Sequence, residues 1–330
     1  MKTKAVVFTR ENEIELKELT LEDIGKDDIG VKTIITAISP GTERWILKGK
    51  HIGTKFPCVP GYHRIGVVEK VGENVKNFKE GDVVYGCAGD GKWKEKEIYS
   101  MWGAHLSYSI GDWRNYWFLS STIPDKFELE TTVFTQLSSV ATRGINALEI
   151  KPKEKIIIIG SGILGICASQ LASYKNAIPV LIDKDKERVE FSKKFAFSFN
   201  IDDENLENKL KEIAPDGFDY LYDTVGFPET TDKLVQFMKY RGKVLFQAQY
   251  FDKERCAVDL DQIKIKELTI KTTCGIDTEN FYQTLFYIRK RILKISDIIT
   301  HRFSSREILE GYKIFKEGRQ FNLGILFWWD

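Results

Sequence analysis

Nothing in this 330-residue chain is organised around cysteine. Cys58, Cys87, Cys167, Cys256 and Cys274 are scattered and none forms a CxxC pair, which argues against a disulfide framework and a zinc ribbon. The charge lacks a dominant sign. Lys and Arg number 49 against 48 Asp and Glu, and a net charge of +1 gives no electrostatic case for nucleic acid or an anionic membrane surface. No apolar run approaches the ~18 residues of a membrane-spanning helix, and the first ten residues lack the apolar core of a signal peptide. The expectation is a soluble cytoplasmic protein. Low-complexity tracts and internal repeats are missing as well.

Against that plain background, residues 155–188 stand out. Four consecutive isoleucines, Ile156 to Ile159, predict a strand buried on both faces. They lead into Gly160, Ser161, Gly162, Ile163, Leu164 and Gly165, then a helix-compatible segment, then a second apolar strand ending at Asp183. This is the dinucleotide fingerprint in its full context, with the acid 18 residues after the last glycine. Gly160 permits the turn, Gly162 lets backbone approach a pyrophosphate, and Gly165 lets helix pack on strand. The free N–H groups at the helix N-terminus then face the phosphates. A carboxylate at Asp183 accepts from ribose hydroxyls and repels a 2′-phosphate, whereas Lys184, Lys186 and Arg188 soften that repulsion. NAD is therefore expected over NADP.

Around the fingerprint, many short strands with turn signals before residue 86 predict a β-barrel-like domain. A helix is predicted over 128–149, and βα alternation after 155 predicts a mostly parallel sheet with helices on both faces. The final apolar stretch of residues 322–330 predicts a strand returning to the first domain. Residues 86–122 carry a concentration of tryptophan and tyrosine that serves either as packing or as one wall of a ligand site.

Several markers then resemble one family. They are Gly41-Thr42-Glu43, Pro60-Gly61-Tyr62, the run from Gly66 to Gly72, Gly81-Asp82, the fingerprint, and Asp223 to Gly226. Together they are similar to the medium-chain dehydrogenase/reductase superfamily, with its zinc alcohol dehydrogenase type of fold. SPGTERW and PGYHRIGVV most resemble the branch typified by bacteriochlorophyllide dehydrogenase, with threonine- and polyol-dehydrogenase-like relatives nearby. The resemblance implies a Rossmann doubly wound domain (135–273) inserted into a GroES-like β-barrel domain (1–134 and 274–330). It also implies cofactor contacts at Thr224, Val225, Gln247, Ala248, Thr273 and Cys274. A small-molecule substrate and a homodimer or homotetramer joined through the Rossmann domain complete the expectation.

The departures from the family pattern concern the metal. Where zinc members carry ligands, this chain places Pro40, Tyr62 and, entering the second domain, Thr135, and the cysteine loop of a structural zinc is missing. His51, Cys58 and His63 match no familiar ligand spacing. No metal is expected. Hydride transfer then needs another group at the reacting oxygen. Thr42 aligns with the family's proton-relay hydroxyl, Tyr62 stands where a ligand points at that oxygen, and His63 titrates near neutrality in its ordinary state. Glu43 and Arg44 are expected to pair at the turn. Trp45, Trp102 and His105 are candidates for the substrate pocket. The expected function is a metal-independent, NAD-dependent oxidoreductase acting on a secondary alcohol or its ketone, with a sugar or cyclitol favoured. A zinc-free quinone or enoyl reductase and a non-catalytic dinucleotide sensor are the alternatives.

Overall fold

A computed structural model describes residues 1–86, 91–251, 258–318 and 321–329. Two compact units result: Met1–Gln136 with Ser296–Asp330, and Leu137–Ile295. In this division the return to the first unit falls at Ser296, beyond the expected 274. The helix Thr278–Arg289 stays with the nucleotide unit, where Thr284 Oγ1 bonds Thr142 Oγ1 at 2.6 Å.

The first unit is all-β at its centre. One sheet runs, in order, through Ile299–Ser304, Gly324–Trp328, Asp28–Ala37, His63–Val71, Val83–Gly86 and Tyr116–Ser120, with Tyr108–Asp112 also paired to Asp28–Ala37. The last strand of the chain thus joins the first domain, pairing Phe327 with Thr36. Val6, Phe8, Ile46, Tyr312, Phe315 and Phe327 share one core, which packs the helices Pro40–Leu47 and Ile308–Glu317 against the strands. Just before Tyr62 and the strand His63–Val71, the chain turns at Gly61, whose φ of +92° and close approach to His105 exclude a side chain.

The second unit holds a six-stranded parallel sheet in the order Phe197–Asn200, Ile178–Asp183, Lys155–Ile159, Phe218–Asp223, Met238–Phe246, Thr269–Thr272. Ile156 to Ile159 are buried from both faces, as a central parallel strand requires, and each contributes about 2 kcal/mol by burial. One local expectation shifts. The helix predicted over 128–149 is broken into Lys126–Thr132 and Thr135–Leu148, and Thr135 Oγ1 donates to Thr132 O at the junction. The helix Pro228–Val235 stops short of Met238, which already pairs with Phe218. No helix among the described residues is long and apolar enough to cross a membrane.

At the fingerprint, a Cβ on Gly165 would lie 1.8 Å from Gly160 O. Backbone on both sides makes that clash hard to relieve. Gly165→Ala is therefore expected to lower unfolding stability by about 3 kcal/mol or more in a urea titration.

Candidate active site

In the nucleotide unit, the cofactor candidates gather at the carboxyl ends of adjacent parallel strands. Gly160 turns with φ +103° against Val225 and Thr224, and Thr224 Oγ1 donates to Ile159 O at 2.6 Å. Gly162 is the N-cap of the helix Ile163–Tyr174 and offers no side-chain cap. A Cβ there would meet only Arg188 Nη1, at 3.5 Å, so the turn is a cradle that a side chain would fill. Leu164 lies in the first turn of that helix. Asp183 Oδ2 accepts from Ser161 N at 2.7 Å and Oδ1 from Asp185 N at 2.9 Å, which locks the acid beside the glycine turn. Lys184 reaches over the Phe227 ring. Gln247, next to Ala248, is tied by its side chain to Tyr222, Val140 O and Thr273, while Cys274 O accepts from Arg143. These residues fit a dinucleotide. The resemblance also implies a cation on the pyrophosphate near the chain's end, where Leu323 takes its place and Arg319 is the stand-in; Arg319 lies outside the described residues.

In the first unit, the helix Pro40–Leu47 and the segment around Gly61 bring hydroxyls together. Tyr62 OH is hydrogen-bonded to Ser39 Oγ. Burial raises the phenol above its ordinary 10, while hydrogen bonds from Ser39 and Thr42 pull the other way. The phenol is thus protonated at neutral pH and has a proton to donate. Trp102, with a left-handed φ of +69°, packs its ring edge-on to Tyr62 at 5.9 Å and to His51 at 5.3 Å. Among the pocket candidates, Trp102 packs on Tyr62. Trp45 lies half-buried on its helix.

His63 departs from its expected role. Tyr85 OH donates to Val133 O at 2.8 Å, so at 2.7 Å from His63 Nδ1 it can only accept. The ring proton therefore sits on Nδ1, and Nε2 is a buried acceptor with no partner. Burial chiefly, with a smaller push from His105, takes this imidazole down to about 3, and the Val133 carbonyl opposes the shift. A group so depressed is neutral throughout the physiological range and is no proton shuttle near pH 7.

Glu43 does not form the expected pair with Arg44. Its fully buried carboxylate accepts from Ser39 N at 2.8 Å and Tyr312 OH at 2.7 Å, and faces His105 Nε2 at 3.3 Å. The Arg44 guanidinium lies over the Phe315 ring instead. His105 is itself fully buried, with Nδ1 on Thr36 Oγ1 at 3.0 Å, and Thr36 accepts from Trp329 Nε1 at 2.9 Å. Both its nitrogens are engaged within the barrel, which makes it a structural residue rather than a substrate contact. Ser39 and Tyr85 escaped the sequence reading. Ser39 before Pro40 reads as an ordinary helix cap, and Tyr85 as an ordinary strand aromatic.

Zinc, which the family pattern implies, needs thiolate, imidazole or carboxylate donors in a fixed geometry. The Pro40 side chain offers no donor atom, the Tyr62 phenol holds its proton, and Thr135 gives its hydroxyl to Thr132 O. Among the described residues, no group of three His, Cys, Asp or Glu stands close enough to hold a metal. The donor set does not fit zinc.

The His63 geometry predicts a pH effect on stability. The unfolded imidazole binds a proton below about 6.5, whereas the folded one resists until about 3. Its contribution is full above about pH 6.5 and drains as pH falls toward 3, at about 1.4 kcal/mol per unit. Urea titrations of wild type and His63→Gln from about pH 7 to about pH 4.5 should show the shallower loss in the variant.

Comparisons with known proteins agree with this architecture. The family model described as Alcohol dehydrogenase GroES-like domain matches residues 25–123, and that described as Zinc-binding dehydrogenase matches residues 164–289. An L-threonine 3-dehydrogenase of Vibrio cholerae serotype O1 is 27% identical over 342 residues, covering 96% of this chain and 97% of the relative. Benzyl alcohol dehydrogenase from Acinetobacter calcoaceticus superposes with a TM-score of 0.86 at 18% identity over 100% of both chains. A short chain alcohol dehydrogenase from Escherichia coli CFT073, complexed with cofactor NADH, gives 0.83 at 18% identity over 99% of both. The threonine dehydrogenase similarity spans the whole length, both domain models match in order, and the fold agrees throughout. The chain belongs to the medium-chain dehydrogenase/reductase superfamily, as an oxidoreductase of the alcohol dehydrogenase type.

Proposed function

We propose that this protein is a metal-independent, NAD-dependent oxidoreductase that interconverts a secondary alcohol and its ketone, with a polar hydroxylated substrate such as a sugar or cyclitol. The observation that carries the reading is the hydroxyl cluster of Tyr62, Thr42 and Ser39, the first two at positions where the family places metal and proton relay. The names of the relatives, a dehydrogenase of L-threonine and an alcohol dehydrogenase complexed with NADH, support the reaction class and the nicotinamide cofactor.

A bound nicotinamide supplies the hydride in reduction and takes it in oxidation. Gly160, Gly162 and the N–H groups of the following helix receive the pyrophosphate, and Asp183 receives the adenosine ribose. Tyr62, a protonated phenol, donates a hydrogen bond and then its proton to the carbonyl oxygen, with Thr42 as the second hydroxyl. His63, neutral, presents Nε2 as a hydrogen-bond acceptor. Self-association belongs to the same reading, through the nucleotide unit, whose edge strand Thr269–Thr272 leaves Ile270 exposed.

The test is a panel of polyols, sugars, ketones and enones followed by nicotinamide absorbance. Alcohol oxidation and ketone reduction with NAD(H) are expected, with kcat/KM for NAD at least about tenfold above that for NADP. Enone reduction by NADPH without any alcohol oxidation would overturn the reading, and tight NADH binding with no turnover would point to a sensor. Tyr62→Phe should lower ketone reduction by about tenfold or more. In the wild type, ketone reduction should show no inflection from about pH 6 to about pH 9, since His63 titrates below that window and Tyr62 above it.

A further inference from the structure

The hydroxyl of Ser39 has an unusual partner for its place in the fold. Ser39 stands at the N-cap of the helix Pro40–Leu47 with extended backbone, φ −92° and ψ 98°. A serine there ordinarily turns its oxygen onto an N–H of the first helical turn. Ser39 makes no such bond, and its Oγ goes to Tyr62 OH instead. The residue is 1% exposed, so water does not compete for the hydroxyl.

What fixes Ser39 in that posture is the carboxylate behind it. Ser39 N donates to Glu43 Oε1, four residues on, while Tyr312 OH holds Oε2 and His105 faces Oε1. The His105 ring is set in turn by Thr36, and Thr36 by Trp329. With its backbone tied to a buried carboxylate, Ser39 retains rotation about Cα–Cβ, which places Oγ, and about Cβ–Oγ, which aims its proton.

A phenol has one proton to give and lone pairs that accept. Tyr62 OH can aim its proton at a substrate oxygen only when Ser39 is the donor of their shared hydrogen bond. We propose that Ser39 is a positioning residue for Tyr62: its hydroxyl donates to the phenol oxygen, turns the phenol proton toward the substrate, and stabilises the phenolate that remains. This rests on the reading of Tyr62 as the proton donor. The proton balance closes with bulk solvent as the source. The substrate oxygen takes the phenol proton, Ser39 keeps its own while bonding the phenolate, and one proton taken up from solvent restores the phenol. The lowering effect of the Ser39 hydrogen bond on Tyr62 is in the same sense.

The experiment is an NMR titration of the full-length protein labelled with carbon-13 at the tyrosine ring, with the Tyr62 signal assigned by its loss in Tyr62→Phe. In Ser39→Ala, the pH at which Tyr62 begins to ionise should rise by about one unit. Ketone reduction should fall by about tenfold in kcat with KM for NADH unchanged, and Ser39→Thr should restore both the titration and the rate. If Ser39→Ala fails to fold, Ser39→Cys, whose thiol is a weak donor, carries the same expectation. An unchanged Tyr62 titration in a folded variant overturns the proposal. Should the wild type turn over no alcohol or ketone, the functional reading fails, while the titration still decides the Ser39–Tyr62 coupling by itself.

Discussion

A carboxylate with no exposure to solvent is costly unless donors surround it, and the Glu43 carboxylate meets that constraint with partners from three parts of the first unit. Ser39 belongs to the loop before the first helix, Tyr312 to the last helix, and His105 to the segment preceding the strand Tyr108–Asp112. Thr36, on its own strand, continues the network through His105 to Trp329 at the chain's end. Removing one partner would leave a buried charge short of a donor, so these segments hold one another in place. The site hydroxyls stand on that frame. Ser39 is bonded to Glu43 through its backbone and to Tyr62 through its side chain.

In the proposed account the two halves of the chemistry have different structural origins. Cofactor binding is assigned to backbone, a glycine turn with room for phosphate and a helix N-terminus beyond it, braced by the bond from Ser161 N to Asp183. Substrate chemistry is assigned to side chains on the β-rich unit. In the proposed account, hydroxyl hydrogen bonds take over the polarisation of the substrate oxygen that a Lewis acid performs in zinc enzymes. Hydrogen bonds from a positioned, water-excluded phenol are strong enough for that task when the oxygen's charge develops against them.

How much of this was legible in the sequence follows from the range of each interaction. The fingerprint is local: Gly160, Gly162, Gly165 and Asp183 lie within one βαβ unit, so spacing sufficed to place them. The strand Ile299–Ser304 was missed because its mixed polarity, ITHRFS, imitates neither a core strand nor a helix face. The break between Thr132 and Thr135 was hidden because continuous helical periodicity passes over it. At the candidate site, the motif pointed to Tyr62 and His63 but not to their protonation states. Those depend on Tyr85, Val133 and Ser39, partners more than twenty residues away and invisible to spacing. The depressed imidazole of His63 and the cap-breaking bond of Ser39 are consequences of folding, not of pattern.

The most direct test of the central claim is metal content set beside turnover. Protein dialysed against a strong chelator and analysed for zinc by plasma mass spectrometry is assayed on the best alcohol substrate with NAD. The account predicts far less than one zinc per chain and an undiminished kcat that added zinc does not raise. Stoichiometric zinc, with activity lost on its removal and regained on its return, would contradict it.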